Sequence, residues 1–188
     1  MKFVKGNIQG LVTVIPTVHR DPRGYFFEAY HHEHFSRSGL TMDFVQDNQS
    51  FSSKGTLRGL HYQINQAQDK LVRVLSGEIF DVAVDIRLGS PTFGQWESIV
   101  LSAENQKQFL IPKGFAHGFQ VLSDTAEILY KCSDYYAPQH ERGILWSDPE
   151  IDIDWPIDNP LLSSRDEKHP LLSEHPEENF FIFNTSMS

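Results

Sequence analysis

The sequence predicts a mostly β protein built as a sandwich or barrel. Short runs rich in strand-forming residues recur along the chain, turn residues separate them, and only His31 to Ser38 reads as a helix. In chain order the runs are Leu11 to Pro16, Tyr25 to Tyr30, Leu57 to Gln63, Lys70 to Leu75, Glu78 to Ile86, Gln95 to Leu101, Gln108 to Ile111, His117 to Leu122 and Ala126 to Lys131. Asp21-Pro22-Arg23-Gly24, Ser76-Gly77, Gly89-Ser90-Pro91 and Pro112-Lys113-Gly114 punctuate them. Proline presets φ and glycine supplies positive φ, so these segments reverse the chain. Beyond Pro138 the character changes, with Pro149, Pro156, Pro160, Pro170 and Pro176 at irregular spacing. Proline interrupts helix and sheet ladders alike, so short turns and helical pieces that wrap the barrel are expected there. No repeat, low-complexity tract or linker divides the chain, and 188 residues make one domain the economical reading.

Composition excludes several classes of function. With 39% hydrophobic and 22% charged residues the chain is ordinary for a soluble globular protein, and no apolar run approaches a membrane-spanning length. Met1 to Asn7 lacks the apolar region of a secretory signal, which leads to a cytoplasmic expectation. The single Cys132 agrees, since one cysteine builds no disulfide framework. A thiol nucleophile is the sharper reading of Cys132 and a small buried strand residue the ordinary one, and it is assigned no role. The formal charge of -9 argues against nucleic-acid binding, which needs an extended basic face. An anionic ligand must then be held locally, by some of Arg20, Arg23, Arg58, Lys70 and Arg73.

The run from Phe80 to Arg87 alternates cleanly. Phe80, Val82, Val84 and Ile86 share one face while Asp81, Ala83, Asp85 and Arg87 share the other. On a single antiparallel strand the apolar face is buried and Asp81 and Asp85 meet water. His61 and Gln63 also share a face, however, and several polar-faced strands converging point to a ligand cavity inside a barrel. Leu57-Arg58-Gly59-Leu60-His61-Tyr62-Gln63, with Lys70, Asp81, His117 and Tyr130 on separate runs, reads as a proton-transfer site. A histidine base needs a cation for the developing oxyanion and a second proton carrier, and all three residue types are present.

These residues carry a family resemblance. Arg23 to Glu28, Phe44 to Asn48, Leu57 to Gln63, Lys70 to Val74, Gly77 to Arg87, Ser90 to Trp96, Leu101 to Asn105, Ile111 to Phe119 and Gly143 to Asp148 resemble the dTDP-4-dehydrorhamnose 3,5-epimerases in order and spacing. The resemblance implies a cupin-type double-stranded β-helix, or jelly-roll, barrel with a few short helices, forming a single domain over 1–188. Its proline-rich wrap would begin at about 138 and a possible tail at about 174. Glu174 to Phe183 has no clear family counterpart, and is expected as a flexible tail or as packing on a neighbouring subunit.

The resemblance further implies a homodimer that epimerises a dTDP-linked 4-keto-6-deoxyhexose at C3 and C5, in dTDP-L-rhamnose biosynthesis, which supplies lipopolysaccharide O-antigen. No metal or other cofactor is implied. His61 would be the base, Asp166 its orienting partner, Tyr130 the acid, and Lys70 would face the sugar's O4. Arg23 and Arg58 would hold the diphosphate, where a guanidinium binds two oxygens at once. Glu28, Gln46 and Asn48 would supply directional bonds, Glu141 joins the substrate-binding set, and Asp81 and His117 would form a second pair. Tyr136 would stack on the thymine, with Tyr135 competing because strand register decides which faces in. Arg165 stands where the family is expected to carry lysine.

Three rivals stand beside this reading. A single-site 3- or 5-epimerase differs only in how the sugar lies against Tyr130. A metal-dependent cupin enzyme would share the second motif, Pro112 to His117, but Gln63 replaces the second histidine of its His-x-His pair and Lys70 adds a repelling cation. A non-catalytic sugar-nucleotide-binding protein would have no need of His61, Asp166 and Tyr130 together.

Overall fold

The computed structural model describes residues 1–184. Its strands are β1 (Lys2–Lys5), β2 (Val12–Ile15), β3 (His19–Asp21), β4 (Gly24–Phe26), β5 (Gln46–Ser53), β6 (Leu57–Gln63), β7 (Lys70–Ser76), β8 (Glu78–Asp85), β9 (Arg87–Leu88), β10 (Trp96–Ser102), β11 (Gln108–Ile111), β12 (Phe115–Val121), β13 (Thr125–Cys132), β14 (Glu141–Gly143) and β15 (Phe181–Ile182). Helix α1 (His32–Arg37) and short 3-10 turns complete the elements. A six-stranded sheet in the order β1-β2-β11-β7-β13-β5 and a five-stranded sheet in the order β10-β8-β12-β6-β14 carry the fold. Their pairings are antiparallel, and the two sheets enclose one apolar cluster in the cupin jelly-roll manner. No helix among the described residues is long and apolar enough to cross a membrane.

Three apolar layers hold the sheets. Between them lie Val72, Val74 and Ile128 from one side and Ile79, Ala83, Phe119 and Val121 from the other. Outside the larger sheet, Phe35 of α1 packs on Val12, Val14, Leu71 and Leu110. Outside the smaller sheet, Ile144, Ile151 and Leu172 of the C-terminal segment cover Val82, Val84 and Ile86. This outer layer corrects the expectation that Asp81 and Asp85 meet water. The wrap buries the apolar face of β8, so the opposite face turns inward, and both carboxylates are fully buried. Asp85 is compensated by Arg87 Nε and Nη2, each at 2.7 Å, and by the Ser90 and Thr92 hydroxyls, each at 2.6 Å.

Other departures have local causes. The Tyr25 to Tyr30 run is strand only as far as Phe26, after which the chain leaves the β3–β4 hairpin to enter α1. Strand β5 is absent from the sequence expectation because its alternation is inverted. Gln46, Asn48, Ser50 and Ser52 are its less exposed positions, while Phe51 is 65% exposed. The C-terminal stretch packs on its own chain. There β15 pairs in parallel with β9, and Phe180 and Phe181 join the outer apolar layer.

Candidate active site

A cavity of about 760 Å³ opens between the sheets. Its five-stranded wall presents Arg58 and His61 from β6 and His117 from β12. The opposite wall presents Lys70 from β7, Tyr130 from β13 and Ser50 and Ser52 from β5. The loop carrying Ser163, Arg165 and Asp166 borders it, and an adjoining recess is lined by Asn48, Tyr136 and Glu141.

Strand register explains these positions. Lys70 pairs with Cys132 and Cys132 with Gln46, while Val72 pairs with Tyr130 and Tyr130 with Asn48. Cross-strand neighbours share a face, so the polar members of two rows converge. On the other wall, His61 pairs directly with His117, beside an irregularity between His117 and Phe119. Glycine makes that approach possible. A Cβ on Gly59 would lie 2.5 Å from the Cα of Gly118, and its φ of +138° is one that side-chain-bearing residues rarely adopt.

Each histidine has a carboxylate. His61 Nε2 lies 2.7 Å from Asp166 Oδ1, and His117 Nε2 lies 2.9 Å from Asp81 Oδ1. Burial lowers the His61 pKa and outweighs the raising effect of Asp166, so the imidazole is neutral and able to accept a proton near neutrality. Burial of Asp166 opposes its ionisation, but the imidazoles of His169 and His61 prevail and hold it well below the usual carboxylate range. Burial likewise pushes the Lys70 ammonium down and the Tyr130 hydroxyl up. Tyr130 therefore keeps its proton at neutral pH, as a proton donor must.

At the rim, Glu141 Oε2 accepts from Tyr136 Oη and pairs with Arg165 Nη1, each at 2.7 Å. Tyr136 also donates its backbone N–H to Gln46 Oε1 at 3.0 Å, whereas Tyr135 is 61% exposed and lines neither cavity nor recess. Both tyrosines lie past the end of β13, and Tyr136, itself half exposed, is the one that borders the recess. Arg58 Nε donates to Ser52 Oγ at 3.1 Å. Cys132 is buried, with Asn48 Nδ2 3.5 Å from its sulfur, as the ordinary strand reading expects.

Two candidates are not brought here by their own chain. Arg23 sits on the exposed β3–β4 hairpin with Nη2 2.6 Å from Asp21, and Glu28 follows that hairpin beside His31 and His34. Asp81 stands behind His117 and is fully buried. His169 escaped the sequence reading. Its signal was the spacing Asp-x-x-His, since residues three apart eclipse on a 3-10 turn and Asp166–Lys168 forms such a turn. His61, Asp166 and His169 bring their donor atoms within 4.8 Å of one another. Within this cluster the His61–Asp166 contact at 2.7 Å is a hydrogen bond between imidazole and carboxylate.

The arrangement can remove a proton from one side of a bound molecule and return one from the other, with a cation on the second wall. Comparison with known proteins agrees. A family model described as dTDP-4-dehydrorhamnose 3,5-epimerase matches residues 5–174. A dTDP-4-dehydrorhamnose 3,5-epimerase from Pseudomonas aeruginosa is 58% identical over 168 residues, 88% of this chain and 93% of that protein. The crystal structure of dTDP-6-deoxy-D-glucose-3,5-epimerase from Legionella pneumophila with dTDP-4-keto-L-rhamnose is 49% identical and covers 98% of this chain and 99% of its own, with a TM-score of 0.95. A 3'-monoepimerase from Streptomyces bikiniensis with dTDP-quinovose is 39% identical and covers 89% of this chain and 86% of its own, with a TM-score of 0.84. With that model spanning most of the chain and a relative well over half identical, the chain belongs to the dTDP-4-dehydrorhamnose 3,5-epimerase family.

Proposed function

We propose that this protein converts dTDP-4-dehydro-6-deoxy-D-glucose to dTDP-4-dehydro-L-rhamnose by inverting C3 and C5, as a step of dTDP-L-rhamnose biosynthesis. The observation that carries the reading is the opposition of His61–Asp166 on one wall to Tyr130 and Lys70 on the other. C3 and C5 both flank the C4 ketone, so loss of either proton gives an enolate whose charge rests on O4. His61 takes the proton, and the Asp166 carboxylate fixes its tautomer and stabilises the imidazolium. Lys70 faces O4, where its charge favours enolate over ketone. Tyr130 delivers a proton to the opposite face, which completes the inversion. The reaction as proposed needs no metal or redox cofactor.

The nucleotide lies toward the rim, with Arg58 and Arg165 near the diphosphate, Tyr136 against the thymine, and Gln46, Asn48, Glu141 and His117 supplying directional bonds. Arg23 and Glu28 enter the site through a homodimer. Their hairpin exposes Phe26 at 70% and Tyr25 at 53%, an apolar surface suited to reaching the cavity of a second copy. The chain acts as one cytoplasmic domain, without nucleic acid or membrane. A single-site epimerase is the second reading, favoured by the likeness to the 3'-monoepimerase but at lower identity than the double epimerases.

Incubation with dTDP-4-keto-6-deoxyglucose in deuterated water tests this. Deuterium at both C3 and C5 with inverted product supports double epimerisation, and label at one carbon supports the second reading. In Tyr130→Phe, deuterium uptake should persist while inversion fails, and unchanged inversion would remove Tyr130 as the acid.

A further inference from the structure

The His169 side chain is nine-tenths buried, and its Nε2 has no hydrogen-bond partner. Buried polar atoms are rarely left unpaired, so this one calls for an explanation. The nitrogen points at Asp166 Oδ1 from 3.5 Å, the same oxygen that His61 holds at 2.7 Å. The two imidazoles meet edge to face with ring centroids 5.4 Å apart. Three features of the chain put His169 there. The 3-10 turn Asp166–Lys168 brings residues 166 and 169 to one side, Gly143 is the strand partner of His61, and a Cβ on Gly143 would overlap the His169 ring.

We propose that His169 is a positioning residue that acts through Asp166 to set how strongly His61 holds a proton. The inference rests on the reading of His61 as the base. A carboxylate oxygen that faces two imidazole N–H groups divides its charge between them, so His169 weakens the pull of Asp166 on the His61 proton. The other titratable groups facing His61 are Lys70, Glu141 and, from the neighbouring strand, His117, and His175 faces His169 from the C-terminal segment. None of these touches Asp166 Oδ1, so the effect of His169 is separable from theirs.

The test is the pH dependence of kcat/KM for deuterium exchange in wild type, His169→Phe and His169→Gln. Phenylalanine keeps the ring and loses the N–H. Its acid limb should move up by about half a pH unit or more, roughly a threefold loss on that limb with KM little changed, because Asp166 then pulls on His61 alone. Glutamine, which restores an N–H of similar reach, should bring the limb back. An unmoved limb in His169→Phe overturns the proposal. A second measurement needs no variant: in the nitrogen-15 spectrum of the wild-type imidazoles, a proton on His169 Nε2 supports the proposal and a bare Nε2 overturns it. Wild type that exchanges no deuterium would instead defeat the reading of His61 as the base, and the imidazole spectrum tells the two failures apart.

Discussion

The two histidine–carboxylate pairs of this cavity are chemically alike and differently housed. His61 and His117 stand opposite each other on neighbouring strands, each within 3 Å of a carboxylate oxygen. The His61 side chain is 27% exposed and its carboxylate comes from a C-terminal turn, whereas that of His117 is 9% exposed and Asp81 is sealed within the sheet. Asp81 Oδ2 has no partner, so His117 is the one hydrogen-bonding group its carboxylate has among the described residues. Asp166 has a second imidazole in reach. On the proposed mechanism the open pair, backed from a separate segment, carries the proton transfer, while the enclosed pair gives a buried carboxylate its hydrogen-bond partner.

That division is broken or sharpened most strongly by removing each histidine. His61→Asn should lower deuterium exchange by about 10⁴-fold with little change in unfolding midpoint. His117→Ala strands a buried carboxylate and should cost about 3 kcal/mol in denaturant unfolding, with a smaller loss of exchange per folded molecule. If the His117 variant were the less active and the His61 variant the less stable, the assignment of the two pairs would be reversed.

Exchanging the carboxylates gives a smaller contrast. Asp166→Asn presents an amide that favours the wrong imidazole tautomer, so kcat should fall by about 100-fold or more with KM nearly unchanged. Asp81→Asn keeps an oxygen for the His117 N–H and should cost less than about tenfold. Equal losses in steady-state kinetics would mean that the two carboxylates share the work.

The pH profile is the mildest probe. His61 must be neutral to act, and burial has lowered its pKa from 6.5, so activity persists below 6.5 and is lost as pH falls through that lowered value. On the alkaline side Lys70 must keep its charge, and burial has lowered its pKa from 10.5, so activity is lost as pH rises through that lowered value, while Tyr130, whose pKa burial has raised from 10.0, still holds its proton. An acid limb above 6.5 would mean that the pull of Asp166 on the His61 proton outweighs burial.

What the sequence disclosed, it disclosed locally. Strand and turn residues marked most of the two sheets, and the bounds of β6 and β11 were legible to the residue because propensity and burial agree there. Strand β5 was hidden because its inward residues are polar, and polar inward residues occur where a cavity replaces a core. His61, Lys70, Tyr130 and Asp166 were nameable from motifs, as was the inward turn of either Tyr135 or Tyr136. Choosing between those tyrosines required tertiary contacts, because both lie past the end of β13 and it is Tyr136 that bonds Gln46 and Glu141 beside the recess.

By itself the sequence determined the β character, the family and the chemistry available to the site, because residue type, turn residues and motif spacing are properties of neighbours along the chain. Only the tertiary structure decided which face of β8 turns inward, since that depends on whether a distant C-terminal segment covers the other side. It also decided that Arg23 and Glu28 stand away from their own cavity, and that His169 Nε2 comes within 3.5 Å of the oxygen that His61 holds, across more than a hundred residues of chain. Alternation says that two faces differ. Which one becomes the interior is settled by what packs against them.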